Sequence, residues 1–445
     1  MSLFFLLPWG ILLYFASNVK SHFLFFFVTC QFVFVGFGLS LFPYLGLDYL
    51  NTVFPSFIFT GISERDFNFA SIVLLVCTFV VVSLCALLIS LSLKKSGFCA
   101  SSALGKVGIR GGVVVFFVCA AVVVSVPFLL DNYKAYIFLL EADSYDDLVS
   151  FVDFRRDSTS NYFLILFIYN VLPATSILSL LWFLERRKTS VFLVFSLVFV
   201  LASVCLLMTF QKRPLLVFWG ASGLTIFLYQ YSKYKSSLRN ISFYDLAYSQ
   251  KWICLFLILM LFVFYYFYTA IRFDSDLFSF LSATVEIIYT RLIGRLSIPA
   301  AMYVDFFPNH HEFYGLSNVG LLDIFIDGKL FLDSKVVFTN YTVGDLDGAV
   351  AASVFIDAYG QGGFIVAVIY GFIVAFAIYL MDYVAYRSSA GAQRVFFVVS
   401  GFVFIYYLSQ SSLFRAAFGY GGIFYLLVWF IGIGPQKIYI RKTGS

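Results

Sequence analysis

Long apolar runs separated by short polar breaks dominate this chain, and the runs have the length a bilayer demands. A helix crosses the hydrocarbon core with roughly 20 apolar residues. Runs of that kind fall at about 3–17, 23–44, 68–92, 112–130, 161–184, 189–210, 214–231, 252–271, 361–383, 393–410 and 416–434, eleven in all. Their apolar residues are continuous rather than alternating, which predicts helices and not the short strands of a transmembrane barrel. The expected fold is therefore all-α, a polytopic transmembrane helix bundle of about 11 spans that takes in residues 1–445 as one integral membrane domain. The first window lacks the basic flank of a cleaved signal peptide and is read as a span. No internal repeat of the transporter kind is evident.

Two polar stretches are too long to be plain connections. Residues 131–160 mix aromatic and acidic side chains and are read as a lid-like outer loop. Residues 272–350 form a large outer loop between the eighth and ninth spans. Within it, Phe278–Tyr303 carries apolar residues at helical spacing and predicts an interfacial or re-entrant helix. Loops of such length often carry function.

Composition makes lipid the solvent. Of the 445 residues, 62% are hydrophobic and 12% charged, with 59 phenylalanines; a soluble domain carries about 25% charged residues to cover its surface. The net charge of +5 is a matter of topology. With the tail cations Lys437, Arg441 and Lys442 in the cytoplasm, strict alternation puts Lys94, Lys95, Lys106 and Arg110 on the same side. Arg186, Arg187, Lys188, Lys233, Lys235, Arg239, Lys251, Arg387 and Arg394 join them, while most acids fall outside. Cytoplasmic loops carry just such an excess of Lys and Arg. No clustered basic face with aromatic platforms exists, so nucleic acid is not an expected partner. The seven cysteines show no C-x-x-C or Cys/His spacing, which excludes a zinc site of standard pattern and gives no disulfide framework.

Cations on the outer side run against the orientation rule and are the candidate chemistry. Lys212 and Arg213 sit in the tight turn Gln211-Lys-Arg-Pro214. Arg291 and Arg295 are four apart and so share a helix face. Arg415 opens the last span in Ser411-Ser-Leu-Phe-Arg-Ala-Ala-Phe. A guanidinium is a planar fork matched to phosphate oxygens and keeps its proton, so these five cations are candidates to grip a pyrophosphate; snorkelling to lipid headgroups is the competing account. His310 or His311, in Pro308-Asn-His-His-Glu-Phe-Tyr-Gly315, is the candidate proton acceptor, with Glu312 beside them to orient an imidazole. Asp345-Leu-Asp347 is read as a turn before it is read as a metal site. The glycines of Gly360-Gln-Gly-Gly363 are read as a close helix-packing motif, with Gly371 further along the same span. Outer aromatics such as Tyr133, Tyr136, Tyr145, Phe313 and Tyr314 suit either sugar stacking or an interfacial belt.

These features together resemble the O-antigen polymerases of the Wzy type, which belong with repeat-unit polymerases and O-antigen ligases. The resemblance lies in a Phe-rich polytopic chain, the arginine of Gln211-Lys-Arg-Pro214, the large late outer loop, and Asp357-Ala-Tyr-Gly-Gln-Gly-Gly363 at the start of the next span. It implies a glycosyltransferase of the bacterial inner membrane whose active site faces the periplasm. Such an enzyme moves a growing glycan from undecaprenyl pyrophosphate onto the incoming lipid-linked repeat unit, without metal or other cofactor. Its partners would be that lipid-linked oligosaccharide, membrane lipid and a chain-length-regulating co-polymerase. Outer arginines of the family would correspond to Arg213 and to Arg291 or Arg295, and the loop histidine of related ligases to His310 or His311. The alternatives are an O-antigen ligase that delivers glycan to lipid A core, and a polysaccharide or lipid flippase.

Overall fold

A computed structural model of the protein describes residues 2–19, 21–46, 62–95, 109–141, 162–209, 212–234, 294, 297–315, 333–342, 350, 352–387 and 391–433. Helices are their regular structure. The first are α1 (Leu6–Asn18) and α2, which runs as His22–Gln31, a π turn Phe32–Gly36 and Phe37–Leu45. Then come α3 (Glu64–Lys95), α4 (Gly111–Glu141) and α5, built from Tyr162–Leu166, a π turn Phe167–Val171 and Leu172–Arg186. α6 (Thr189–Met208), α7 (Lys212–Tyr234), α8 (Ser297–Asn309) and α9 (Asp333–Asn340) follow. The chain continues with α10 (Val354–Arg387), α11 (Ala392–Leu408), a π turn Arg415–Gly419 and α12 (Gly422–Ile433).

Six of these stretches are long and apolar enough to cross a membrane: His22–Phe42, Glu64–Ser92, Gly111–Tyr133, Leu164–Arg186, Thr189–Met208 and Val354–Tyr386. Leu6–Asn18, Ala392–Leu408 and Gly422–Gly432 are apolar but shorter. The window 214–231 lies within α7, whereas 252–271 falls outside the described residues. α4 also runs past its predicted end to Glu141, so the stretch read as a lid opens as a continuation of that helix.

α10 shows why these helices belong in lipid. Ala367, Tyr370, Val374, Ala375 and Ile378 are buried on one face, while Ile365, Ile369, Phe372 and Phe376 are exposed on the other. Both faces are apolar, and an apolar stripe of that size left in water would be an aggregation surface. Hydroxyls inside such helices must find partners locally. Ser40, Ser71, Thr78, Thr175, Ser222 and Thr225 each donate to the carbonyl four residues earlier.

The helices group into two units. The first takes residues Met1–Ala100, Leu277–Val384 and Phe404–Gly419; the second takes Ser101–Asp276, Ala385–Val403 and Tyr420–Ser445. In the first, α3 packs against the latter half of α2, and α8 packs on α3. Gly371 of α10 brings a Cβ position within 3.4 Å of the Cys77 carbonyl oxygen on α3, the close backbone approach that small residues permit. In the second unit, α6 packs on α5 and α4, and α12 on α5. Gly421, at φ +88°, sits against Asn170 with no room for a side chain.

Candidate functional site

The first unit gathers an unusual density of polar side chains around α8. Every residue from Ser297 to Phe307 is buried. The described part of the predicted interfacial or re-entrant segment, residues 294 and 297–303, is thus buried. Two buried groups of α8, Tyr303 and Asp305, need polar partners, since an unpaired polar group in such surroundings is costly. α9 supplies both. The Tyr303 phenol donates to Asp333 at the start of α9, and the Tyr341 phenol just past its end donates back to Asp305. Burial and the adjoining carboxylates hold both phenols well above the usual tyrosine range, so each remains a donor at neutral pH.

Asp333 has a second partner. Arg415 reaches its Oδ1 at 3.2 Å through Nη2 and the Ser334 hydroxyl at 3.3 Å through Nη1. The Asp333 side chain is 1% exposed and that of Arg415 38%, so the ion pair is buried at the acid and open at the base. The charges of Asp333, Asp357 and Arg415 all bear on Tyr303, which marks one shared polar cluster.

Past Phe307 the helix cannot continue, because Pro308 disfavours helical backbone at the residue before it; Phe307 accordingly leaves the helical region. The chain turns outward, and Pro308 through Phe313 are all exposed between buried Phe307 and buried Tyr314. α10 clamps the returning end. Tyr314 and Gly315 donate backbone N–H groups to the carbonyls of Gly360 (3.2 Å) and Gln361 (2.9 Å), and the Tyr314 phenol donates to the Asp357 carbonyl at 2.9 Å. Tyr359 donates to the Phe307 carbonyl at 3.2 Å from the other side. Gly360 makes the clamp fit, since a Cβ there would lie 2.8 Å from the Tyr314 ring. Gly363, at φ +77°, faces Phe313. A polar chain then runs along α10, from Asp357 to Gln361 at 2.9 Å and on to Tyr370 at 2.7 Å.

The exposed turn carries both histidines. His310 Nε2 lies 3.5 Å from Asp305 Oδ2, with half of the imidazole open to the outside. Asp305 is thus held by Tyr341 beneath and faces His310 above. His311 instead turns Nδ1 to the Glu312 carbonyl oxygen at 2.6 Å and stacks on Phe306. The carboxylate beside an imidazole is therefore Asp305, not Glu312. A half-exposed imidazole with a buried carboxylate 3.5 Å from one ring nitrogen is an arrangement that can accept a proton from a bound hydroxyl.

The remaining predicted residues lie elsewhere. Arg213, in the second unit, opens α7 half-buried, with its guanidinium carbon 5.4 Å from the centroid of the Tyr420 ring. Lys212 begins the same helix. Arg291, Arg295 and the Asp345–Asp347 turn lie outside the described residues. Of the outer aromatics, Phe313 and Tyr133 are exposed, whereas Tyr314 is buried with its hydroxyl engaged, which removes it as a sugar platform. Among the described residues no three His, Cys, Asp or Glu side chains are grouped to hold a metal ion. Asp305, Asp333, Tyr303 and Tyr341 were not evident as functional from sequence; the one available signal was Asp305 lying just before a proline-broken helix end and the histidine pair. Neither a family model, nor a curated protein, nor a solved structure matches this chain.

Proposed function

We propose that this protein polymerises lipid-linked oligosaccharide repeat units at the periplasmic face of the bacterial inner membrane, through a bundle of about 11 spans. What supports the proposal is half-exposed His310, 3.5 Å from buried Asp305, in an apolar helical protein. In the reaction, a hydroxyl of the incoming repeat unit attacks the anomeric carbon of the growing glycan. The new glycosidic C–O bond forms as the bond to the pyrophosphate oxygen breaks, and undecaprenyl pyrophosphate leaves with the electron pair. His310 takes the hydroxyl proton, with Asp305 and Tyr341 as positioning residues. The leaving group is already activated, so what it needs is charge stabilisation by preorganised cations. Arg291 and Arg295 are assigned that task, while Arg415 is committed to buried Asp333.

The test uses the full chain in vesicles with a purified lipid-linked repeat unit, following both glycan length and undecaprenyl pyrophosphate release. His310→Ala is expected to slow release about 10²-fold or more, and His311→Ala to leave the rate within a few-fold. Equal rates for wild type and His310→Ala at equal protein level would overturn the assignment of the base.

A further inference from the structure

A cleft in the second unit is lined by none of the residues assigned to the proposed reaction. It has a volume of about 290 Å³ and is lined by Gly111, Trp182, Arg186, Lys188, Ser190 and Val191. The local sequence builds it. Arg187 adopts a left-handed conformation (φ 50°) as the cap of α5 and donates its N–H to the Phe183 carbonyl at 2.7 Å, which reverses the chain within two residues. α6 then begins at Thr189 with no side chain capping its first turn. α4 starts alongside, where the Ile109 N–H donates to Glu185 at 3.3 Å. Gly111 has no side chain because a Cβ would lie 2.8 Å from the Trp182 indole, so the indole forms a wall instead of being covered.

Three membrane-length helices begin or end at this cleft, so it opens at the bilayer surface whichever side that is. Its volume is at the small end of ligand sites, which run from roughly 300 Å³ upward; it suits a headgroup and not a glycan. Arg186, Lys188 and Ser190 are exposed at its mouth. Paired cations with a hydroxyl match the oxygens of a phosphate, and an indole at the bilayer surface matches the glycerol and upper acyl region. Basic pockets between spans take anionic lipid headgroups for this reason.

We infer that the α4–α5–α6 cleft is a binding site for a phosphate group, in the first place that of an anionic phospholipid. The inference does not depend on the polymerase reading. It is tested with the full chain in zwitterionic detergent, titrated with short-chain phosphatidylglycerol, short-chain phosphatidylcholine or inorganic phosphate, with binding read by thermophoresis. Phosphatidylglycerol should bind saturably and phosphatidylcholine should not. Each surface Lys or Arg contributes about fivefold to such binding, so R186A/K188A should weaken it about 25-fold. Ser190→Phe keeps every charge but fills the cleft and should also abolish saturable binding, at an unchanged melting temperature. K94A/K95A removes two cations elsewhere and should leave it unaltered. Equal weakening by K94A/K95A, or full binding by Ser190→Phe, would show diffuse surface charge and overturn the site. Inorganic phosphate that binds and competes as well as the lipid would keep the phosphate site but overturn the lipid as its occupant.

Discussion

Replacing Arg415 with Gln strips the cation from an aspartate whose side chain is 1% exposed. Breaking a fully buried pair from one side costs about 3–5 kcal/mol, because a desolvated charge is left behind. Exposed pairs contribute only about 0.2–1 kcal/mol. With 38% of the Arg415 side chain open, water screens part of the interaction, which puts the expected cost at about 2–3 kcal/mol. Asp333→Asn should cost less, about 1–2 kcal/mol, because the arginine it releases can turn to water. With the acid already neutralised, losing the arginine costs little more. The double variant should therefore fall near the aspartate variant alone, with a coupling of about 2–3 kcal/mol. Denaturant unfolding of the full chain in mixed micelles measures all four corners of the cycle. A loss under about 0.5 kcal/mol for Arg415→Gln, or a coupling within about 0.3 kcal/mol of zero, refutes the reasoning.

Other consequences follow from the same packing. Tyr303 and Tyr341 keep their protons in the folded protein above the pH at which an unfolded phenol, with a pKa of about 10, releases them. Their shift therefore costs nothing below pH 10, and stability falls as pH rises above it by about 1.4 kcal/mol per pH unit for each tyrosine. Melting curves between pH 9 and 11 should fall less steeply for each Phe variant, and parallel slopes would contradict the burial of these phenols. Gly360→Ala places a methyl 2.8 Å from the Tyr314 ring; the expected overpacking cost of about 1–3 kcal/mol should come with faster protease cleavage at residues 308–315 than in wild type. Ser21→Ala removes both the cap of α2 and the donor to Asp382, with an expected loss of about 1 kcal/mol or slightly more in thermal unfolding.

Hydrophobic run length was enough to place helices in ten of the eleven windows, because in lipid nearly every position of a span must be apolar and backbone groups must bond within the segment. The eighth window lies outside the described residues. The site was harder to read for a physical reason. Spacing arguments link residues three or four apart, yet Asp305 meets His310 five residues on through a proline turn, and Tyr303 meets Asp333 across 30 residues. Charge bookkeeping sorted the acids only by side of the membrane and could not single out Asp305 and Asp333, which are buried. Gly360 shows the same limit. Its lack of a side chain pointed to a close approach, and the neighbours are the rings of Tyr303 and Phe307 on α8 together with Tyr314, which spacing along α10 alone does not reveal.

Glycan banding in cells lacking the native gene, complemented with wild type or His310→Ala at equal membrane levels, tests the proposed activity most directly. Wild type should restore the long-chain ladder, and His310→Ala should leave lipopolysaccharide capped with a single repeat unit. A ladder that persists without the gene, or a deletion that leaves no capped lipopolysaccharide at all, would contradict a polymerase, the latter pointing to a ligase instead.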